Sequence, residues 1–442
     1  GSKFHHQMWW WNLKFHFWDV SKLDELIAEL CPNGVEYKSL GEIATIARGG
    51  NFQKKDFCDR GVPCIHYGQI YTKYGLFTDK TITFITEERA KKQKFAKTND
   101  IIMAVTSENI EDVCKCLAWL GNEDVAVSGH SAIISHNQNP KYLVYYFHSQ
   151  MFFTQKRKLA HGTKVIEVTP DTLKSIKLPV PPLEVQREIV HILDSFTLLT
   201  AELTAELTAR KKQYEFYRDN LIKKEQHISE VKKLADVANI YDSLHQTPSY
   251  SNSGYSMVRV QDIKGGYLDE DKTLKVDESV WNLFTQKYTP RLNDIVVSRV
   301  GSYGNFALIP NDKCCLGQNV ALIHPNINPK YLYHVLMSTM TKQWINNNVK
   351  GASQKSFSLA DIKRVPVPVP KENIQQRIAE VLDNFEAICT DLNIGLPAEI
   401  EARQKQYEYY RDLLLTFAET GSTLMTDRQT DRQTDRQTDR QT

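Results

Sequence analysis

The sequence predicts an α+β protein built as a tandem duplication, in which an α/β domain followed by one long helix occurs twice. The two helices are expected to pair as an antiparallel, coiled-coil-like spacer with pseudo-twofold symmetry. Three observations carry this prediction. A set of short motifs recurs in one order along the chain. The first part of each copy shows short β-branched runs between turn residues. The second part carries an apolar stripe at helical spacing.

The recurrence is the strongest of the three, because self-similarity at a fixed period decides the architecture before any single motif does. Lys38-Ser39-Leu40-Gly41-Glu42-Ile43-Ala44 returns loosely as Lys232-Lys233-Leu234-Ala235-Asp236-Val237-Ala238. Asn99-Asp100-Ile101-Ile102 returns as Asn293-Asp294-Ile295-Val296, and Asn139-Pro140-Lys141-Tyr142-Leu143 returns unchanged at 328–332. Pro179-Val180-Pro181 matches Pro368-Val369-Pro370, and Leu193-Asp194 matches Leu382-Asp383. Gln213-Tyr214-Glu215-Phe216-Tyr217-Arg218-Asp219 matches Gln406-Tyr407-Glu408-Tyr409-Tyr410-Arg411-Asp412. The offsets stay between 189 and 194, so a unit of about 190 residues is written twice. The domains follow as an N-terminal helix over 21–35, a first globular domain over 36–182 and a central helix over 183–226. A second globular domain over 227–370, a C-terminal helix over 371–418 and a tail over 419–442 complete the chain.

Within each globular domain, runs such as Ile101-Ile102-Met103-Ala104-Val105, Ile295-Val296-Val297-Ser298 and Val320-Ala321-Leu322-Ile323 lie between Gly, Asn, Asp and Pro. That pattern reads as strands between turns. Asn-Pro in the NPKYL motif signals a helix start, predicting helices from Tyr142 to Gln150 and from Tyr331 to Met340. The central helix places Ile189, Ile192, Phe196, Leu199, Leu203, Leu207, Tyr214, Tyr217 and Leu221 at spacings of mostly three and four. The C-terminal segment gives Ile374, Ile378, Val381, Phe385, Ile388 and Leu392, then Ile400, Tyr407, Tyr410 and Leu414. Gly395 is expected to end one helix there and Pro397 to begin the next. About 40 residues at 1.5 Å each span roughly 60 Å, and neither helix hides its stripe alone. Pairing them is the simplest solution.

Composition limits the function. The 442 residues suffice for two or three domains, each with its own core, and no apolar run approaches the roughly 20 residues a membrane helix needs. The eight cysteines form no CxxC pair, which argues against zinc and disulfide frameworks and makes a reducing cytoplasm the default. Cys114, Cys116, Cys314 and Cys315 read as strand residues. Residues 1–20 hold four of the seven tryptophans and lack the build of a secretory signal, so a cloning scar or an unusual leader fits them better. The tail repeats Asp-Arg-Gln-Thr four times over 427–442; with no apolar residue in the repeat it is expected to be disordered.

The net charge is only +2, but its distribution is uneven. Residues 36–177 hold 20 Lys and Arg against 15 Asp and Glu, and residues 228–366 hold 16 against 12. A basic surplus in the globular parts suits a phosphate-binding face, although an ordinary solvated surface would also explain it. Polar loops add to the case. Arg259, Gln261 and Lys264 lie in one, Arg299, Ser302 and Tyr303 in a second, and Lys350, Ser353, Gln354 and Lys355 in a third. The first domain offers Arg48 with Lys54 and Lys55, Gln69, Thr106 with Ser107, and His161 with Lys164. Arg and Lys pair with guanine and Gln with adenine, while small residues let backbone amides approach phosphates. Any one such turn could simply close a hairpin; recurrence in both halves favours DNA contact. His130 and His161 stand isolated and read as structural or phosphate-contacting residues. There is no GxxxxGK[ST] loop, no [DNS]PP[YFW] tetrapeptide, no glycine-rich cofactor loop, and no metal spacing of His, Asp and Glu.

With these motifs in view, residues 21–417 resemble the specificity (S) subunit of a type I restriction–modification enzyme. The resemblance rests on the duplication and on GVEYKSLGEIA, LNDIVVSRVGSYG, GQNVALIHPNINPKYLYHVL and VKGASQKSFSLADIKRVPVPVP. The helical signatures RKKQYEFYRDNL and RQKQYEYYRDLLL are the most specific. The first half departs further from the family pattern, with Val105-Thr106-Ser107-Glu108 where the second half has Arg299-Val300-Gly301-Ser302. The resemblance implies that each globular part is a target recognition domain reading half of a bipartite, asymmetric DNA site. It further implies that the helices set the spacer and dock two modification subunits, with Leu199, Leu203, Leu207, Tyr214, Tyr217, Tyr407 and Tyr410 as candidate spacer and docking residues. This chain would hold no catalytic residue and no cofactor of its own. S-adenosylmethionine, ATP and Mg would act on the modification and restriction subunits.

Two other classes compete: a self-contained DNA methyltransferase or nuclease with its own target domains, and a scaffold whose duplicated domains bind protein. Missing cofactor and base-gripping motifs weigh against the first; a steep salt dependence of duplex binding would exclude the second.

Two predictions follow from repeats within the repeats. Thr200-Ala201-Glu202-Leu203 is followed at once by Thr204-Ala205-Glu206-Leu207, and one four-residue copy changes a helix by about 6 Å. DNA rises about 3.4 Å per base pair, so deleting one TAEL copy is expected to change the spacer by a base pair or two and leave both half-sites intact. Methylation mapping that found the gap unchanged would remove the measuring role and leave an ordinary helical repeat. Asp-Arg-Gln-Thr is what three GACA tetranucleotides encode, and a tract of four-base units slips out of frame during replication. Clonal sequencing is expected to show a GACA tract of variable length acting as an on/off expression switch; mixed codons without that period would end the idea.

Overall fold

The computed structural model describes residues 22–264, 266–268, 270–349, 356–391 and 395–420. The expectations for residues 1–20, for the tail from 421 and for Lys350, Ser353, Gln354 and Lys355 lie outside them. Numbering only helices of eight residues or more, the chain contains α1 (22–30), α2 (Pro140–Phe147), α3 (Gln150–Leu159), α4 (Leu183–Ile228), α5 (Pro329–Met337), α6 (Thr339–Asn348), α7 (Glu372–Thr390) and α8 (Leu396–Thr420). Two compact units result. One joins residues up to 201 with those from 401 onward, and the other spans 202–400. The duplicated α+β architecture is therefore present, and each unit combines one globular domain with segments of both helical regions.

In the first unit the strand Tyr37–Ser39 pairs antiparallel with Lys177–Pro179, tying the start of the globular domain to its end. Between them stands a five-stranded sheet ordered Ala44–Arg48, Ser131–His136, Ile101–Ala104, Cys116–Trp119, Phe77–Thr78. A second sheet runs Phe57–Cys58, Thr83–Ile85, Val62–Ile65, Val125–Val127, Lys94–Ala96. The second unit repeats the plan with fewer strands. Glu230–Lys233 pairs with Pro366–Val369, and its main sheet runs Ala238–Asp242, Val320–Pro325, Ile295–Ser298, Phe306–Leu308.

The repeated Asn-Asp-Ile motif now has a physical reason. Asn99 and Asn293 take φ of 74° and 69°, a left-handed turn that Asn tolerates better than most residues. The following Asp100 and Asp294 carboxylates accept the backbone N–H of Lys97 and Arg291, at 2.8 and 2.9 Å. Each turn then feeds a fully buried strand, Ile101–Ala104 or Ile295–Ser298. Cys114 corrects the strand reading: it too is left-handed, at φ 67°, and precedes the strand Cys116–Trp119. Cys314 and Cys315 do lie in a strand, and all eight cysteines are free thiols.

The NPKYL helices start earlier and stop sooner than predicted. Asn139 caps α2 through the N–H groups of Lys141 and Tyr142, and Asn328 caps α5 through Tyr331 N–H, with proline at the first helical turn. Ser149 and Ser338 then cap separate helices, α3 and α6, which the sequence reading had not distinguished. Gly395 also changes role. Helix α7 ends at Thr390, and the Gly395 carbonyl accepts Glu399 N–H, so this glycine opens α8 rather than closing α7.

The stripe on α4 is buried at Ile189, Ile192, Phe196, Leu203 and Tyr214. Phe196 stacks on Tyr410 at 5.3 Å between ring centroids, and Tyr217 lies 5.5 Å from Phe385.

Candidate nucleic-acid interface

Most of the repeated motifs meet at one place in each unit, and that place is the junction between domain and helix. In the second unit Asp383 of α7 accepts from Lys330 Nζ at 2.5 Å and pairs with His334 Nε2 at 2.8 Å. His334 Nδ1 in turn lies 3.0 Å from the Tyr214 hydroxyl of α4. In the first unit Asp194 of α4 holds Lys141 Nζ at 2.5 Å and the Tyr145 hydroxyl at 2.6 Å, and the Tyr145 ring lies 6.2 Å from Tyr407 of α8. Gln186 and Gln375 accept the N–H of Asn139 and Asn328 and donate to the Pro181 and Pro370 carbonyls. Asp219 accepts Thr339 N–H at 3.1 Å and Asp412 accepts Gln150 N–H at 3.2 Å, so each caps the start of α6 or α3. Negative side chains belong there, at the positive end of a helix.

The expectation of no clustered ligating residues is corrected here, because folding brings His334, Asp383 and Glu386 within 4.8 Å of one another. Their atoms are already engaged with Tyr214, Lys330 and Tyr333, the last donating to Glu386 at 2.9 Å. Burial raises the Glu386 carboxyl above its ordinary range. Burial also pushes Asp383 upward, but the hydrogen bonds from His334 and Lys330 outweigh it and hold that carboxyl low. The first unit has Tyr145 and Thr197 where His334 and Glu386 stand, so the junction itself does not depend on the triad.

The polar face lies elsewhere. In the first domain a cleft of about 610 Å³ opens between the end of strand Ala44–Arg48, the segment Gly49–Gln53, His66 and Tyr67, Lys92 and Lys94, and the turn Ser128–His130. Arg48 donates to Gly129 O at 2.8 Å and to Glu167 at 3.0 Å, which braces it across the mouth. Gln93 ties Asn51 down from beneath. Tyr67 sits between two imidazoles, with ring centroids 4.5 Å from His66 and 4.9 Å from His130. Burial, reinforced by Lys54 and His130, pulls His66 down to about 4, so the ring is neutral at physiological pH.

Of the first-domain candidates, Arg48 lines this cleft, Lys54 and Lys55 are exposed beside it, and His161 and Lys164 are exposed on another loop. Ser107 is half-buried. Gln69 and Thr106 are corrections. Both are buried, with Gln69 spent on His66 N–H and Thr83 and Thr106 on His130, so neither presents a side chain to a ligand. In the second domain Gln261, Lys264 and Ser302 are exposed. Arg259 is held by both Asp262 oxygens at 2.9 Å, and Arg299 is paired with Asp242; these guanidiniums reach a base only by exchanging partners. Tyr303 packs against the core.

The helix candidates divide similarly. Tyr214 and Leu203 are buried, a packing that suits the spacer role and leaves them no surface for docking; Tyr407 and Tyr410 pack half-buried in their own unit, and Leu199 and Leu207 are half-buried. Tyr217 remains 42% exposed. Phe216 and Tyr409, outside the candidate set, are 63% and 52% exposed at equivalent positions of the two QYE motifs. An aromatic residue off the stripe in both copies was the available signal. Tyr67 belongs to the polar turn Tyr67-Gly68-Gln69, but no local pattern marks Lys92 and Lys94, which only the fold brings to the cleft.

Residues 32–210 and 228–402 match the family model for the type I restriction modification DNA specificity domain. The type I restriction enzyme EcoR124I/EcoR124II specificity subunit of Escherichia coli is 36% identical over 258 residues, which are 55% of this chain and 63% of that subunit. A chain solved in work on complex assembly and conformational transition of the type I R-M system covers 88% of this chain and 97% of its own length, with 16% identity and a TM-score of 0.52. An S subunit from M. genitalium covers 87% of this chain and 97% of its own, at 12% identity and a TM-score of 0.48.

The neutral, buried His66 has a consequence for stability. Its folded value lies below the ordinary 6.5, so the unfolded chain takes up the proton first and folding weakens as pH falls from 6.5 towards about 4. His148, also drawn down to about 4 by burial, adds to the same window. His66→Asn keeps an acceptor for Gly68 N–H and is expected to flatten part of that loss in denaturation midpoints between pH 7 and 4.5. Parallel titrations of variant and parent would show that His66 is not a source.

Proposed function

The chain belongs to the type I restriction–modification DNA specificity family, and from that footing we propose that it is the subunit that chooses the DNA sequence on which a modification and restriction complex acts. The observation that carries this reading is the contrast between junction and surface. The two repeats keep the same domain–helix joint, residue for residue in most places, while the residues at and beyond equivalent strand ends differ: Arg48 against Asp242, Tyr67 against Val260, Val105 against Arg299. A molecule that must present two different readers on one frame needs this combination. Two tethered weak contacts also give far tighter binding than either alone.

In this reading the first domain contacts its half-site through Arg48, Lys54, Lys55, Ser107, His161 and Lys164. The second uses Gln261, Lys264 and Ser302, with Arg259 and Arg299 released from their aspartates by the duplex. The exposed Leu198, Phe216, Tyr217 and Tyr409 supply apolar contact for modification subunits. Adenine methylation with S-adenosylmethionine, and cutting with ATP and Mg by restriction subunits, take place on those partners in the cytoplasm. Among the described residues, no helix is long and apolar enough to cross a membrane.

The test is methylation mapping in cells that express this chain with its modification subunit. A bipartite, asymmetric site is expected, and exchanging residues 36–182 for the equivalent domain of a relative should change one half-site only. Duplex affinity of the complex should also fall steeply with salt, by a log–log slope of about −0.9 per phosphate neutralised. Methylation without a bipartite motif, or binding indifferent to salt, would sink the proposal.

A further inference from the structure

The cleft of the first domain is more than a basic patch. None of its lining residues is a carboxylate, and Arg48, Lys92 and Lys94 give it three cations. Lys92 and Lys94 are exposed and make no ion pair with any described residue, whereas Arg48 is braced by Glu167. An anion is therefore the ligand the walls select. The volume, about 610 Å³, lies inside the roughly 300–1,000 Å³ range of small-ligand pockets and exceeds what a lone phosphate fills.

The floor and one wall add shape. A side chain on Gly50 would meet Gln93 Oε1 at 2.1 Å, and one on Gly129 would meet the Gly50 carbonyl at 2.6 Å. The floor is thus bare backbone by necessity, close enough for a flat group to lie on it. The wall is the aromatic cluster of Tyr67, His66 and His130, with the Tyr67 centroid 4.5 and 4.9 Å from the two imidazoles, and a planar heterocycle packs against the part of that cluster that lines the cleft.

The second domain is an internal control. Its ladder is equivalent, with Asp242 opposite Ala321 as Arg48 is opposite Ala132, and Gly317 N–H bonded to Val258 O as Ser128 N–H is to Ile65 O. Leu244 stands there for Gly50, Val260 for Tyr67 and Gln318 for Gly129. The bare floor and the aromatic wall are both missing. The feature belongs to one reader, not to the shared fold.

We infer that this cleft seats one unstacked nucleotide, its base against Tyr67 and its phosphate on Lys92, Lys94 and Arg48. The inference rests on the DNA-reading function proposed above. The same chemistry is offered by a nucleotide drawn out of the bound duplex and by a free deoxynucleoside monophosphate, and the experiment separates them. With the target mapped, the full chain with its modification subunits is titrated with duplexes in which each base pair of the first half-site is replaced in turn by a mismatch. A mismatch lowers the cost of drawing the base out.

One position is expected to bind about 10-fold tighter when mismatched. Tyr67→Ala should abolish that gain and Tyr67→Trp should keep it, while Lys92→Ala with Lys94→Ala weakens every duplex alike. Discrimination of the second half-site should stay unchanged in all of them, which reports that the fold is intact. If no mismatch tightens binding but dAMP or dTMP binds in a Tyr67-dependent way, the free nucleotide is the source. Intact duplex binding with no mismatch gain, no monophosphate binding and less than a twofold change in Tyr67→Ala overturns the inference and spares the DNA reading. Monophosphate binding with no duplex binding by the parent would do the reverse, and absence of both would remove the two together.

Discussion

The structure depends on a carboxylate placed once on each helical segment. Asp194 and Asp383 each accept a lysine ammonium and a second donor from the helix that begins the NPKYL motif. Charge-assisted hydrogen bonds of this kind are roughly twice as strong as neutral ones, and their geometry is directional. Around them the tyrosines Tyr142 and Tyr331 bond the Pro179 and Pro368 carbonyls, both at 3.0 Å. The glutamines Gln186 and Gln375 close the same corner. Each domain is thereby held to its helix by polar bonds with fixed angles, in addition to an apolar contact that would tolerate rotation.

That division explains why the two halves can diverge. A joint built from hydrogen bonds inside the unit constrains few residues on the opposite, solvent-facing loops. Arg48 and Asp242 occupy equivalent strand ends with opposite charge, and each finds an opposite partner locally, Glu167 for one and Arg299 for the other. The same strand ladder therefore carries two chemically different surfaces. The triad of His334, Asp383 and Glu386 shows that even the joint varies where a hydrogen-bonding substitute exists, since Tyr145 serves Asp194 as His334 serves Asp383.

Much of this was legible in the sequence. The duplication, the strand runs and the long helix all followed from period and spacing, and Asn139, Asn328 and the Asn-Asp turns were marked by residue type. What misled was polarity taken as exposure. Gln69 and Thr106 carry hydrogen-bonding groups, but each group is satisfied inside the fold, and a buried polar side chain looks the same in one dimension as an exposed one. Conversely, Lys92 and Lys94 look unremarkable in the sequence because their neighbours in space are far away in the chain.

The sequence by itself determined the architecture: two copies of one unit and the helix that follows each. It could do so because period, capping and turn chemistry are local properties, and because a repeat displays each motif twice. Only the tertiary structure decided which motifs form the joint and which face outward. The repeated residues belong to the joint, and the unrepeated ones make the cleft. Strand pairing brings the segments of Gly50, Tyr67, Lys94 and Gly129 to one cleft, since hydrogen-bond register between strands distant in sequence leaves no mark on any one of them.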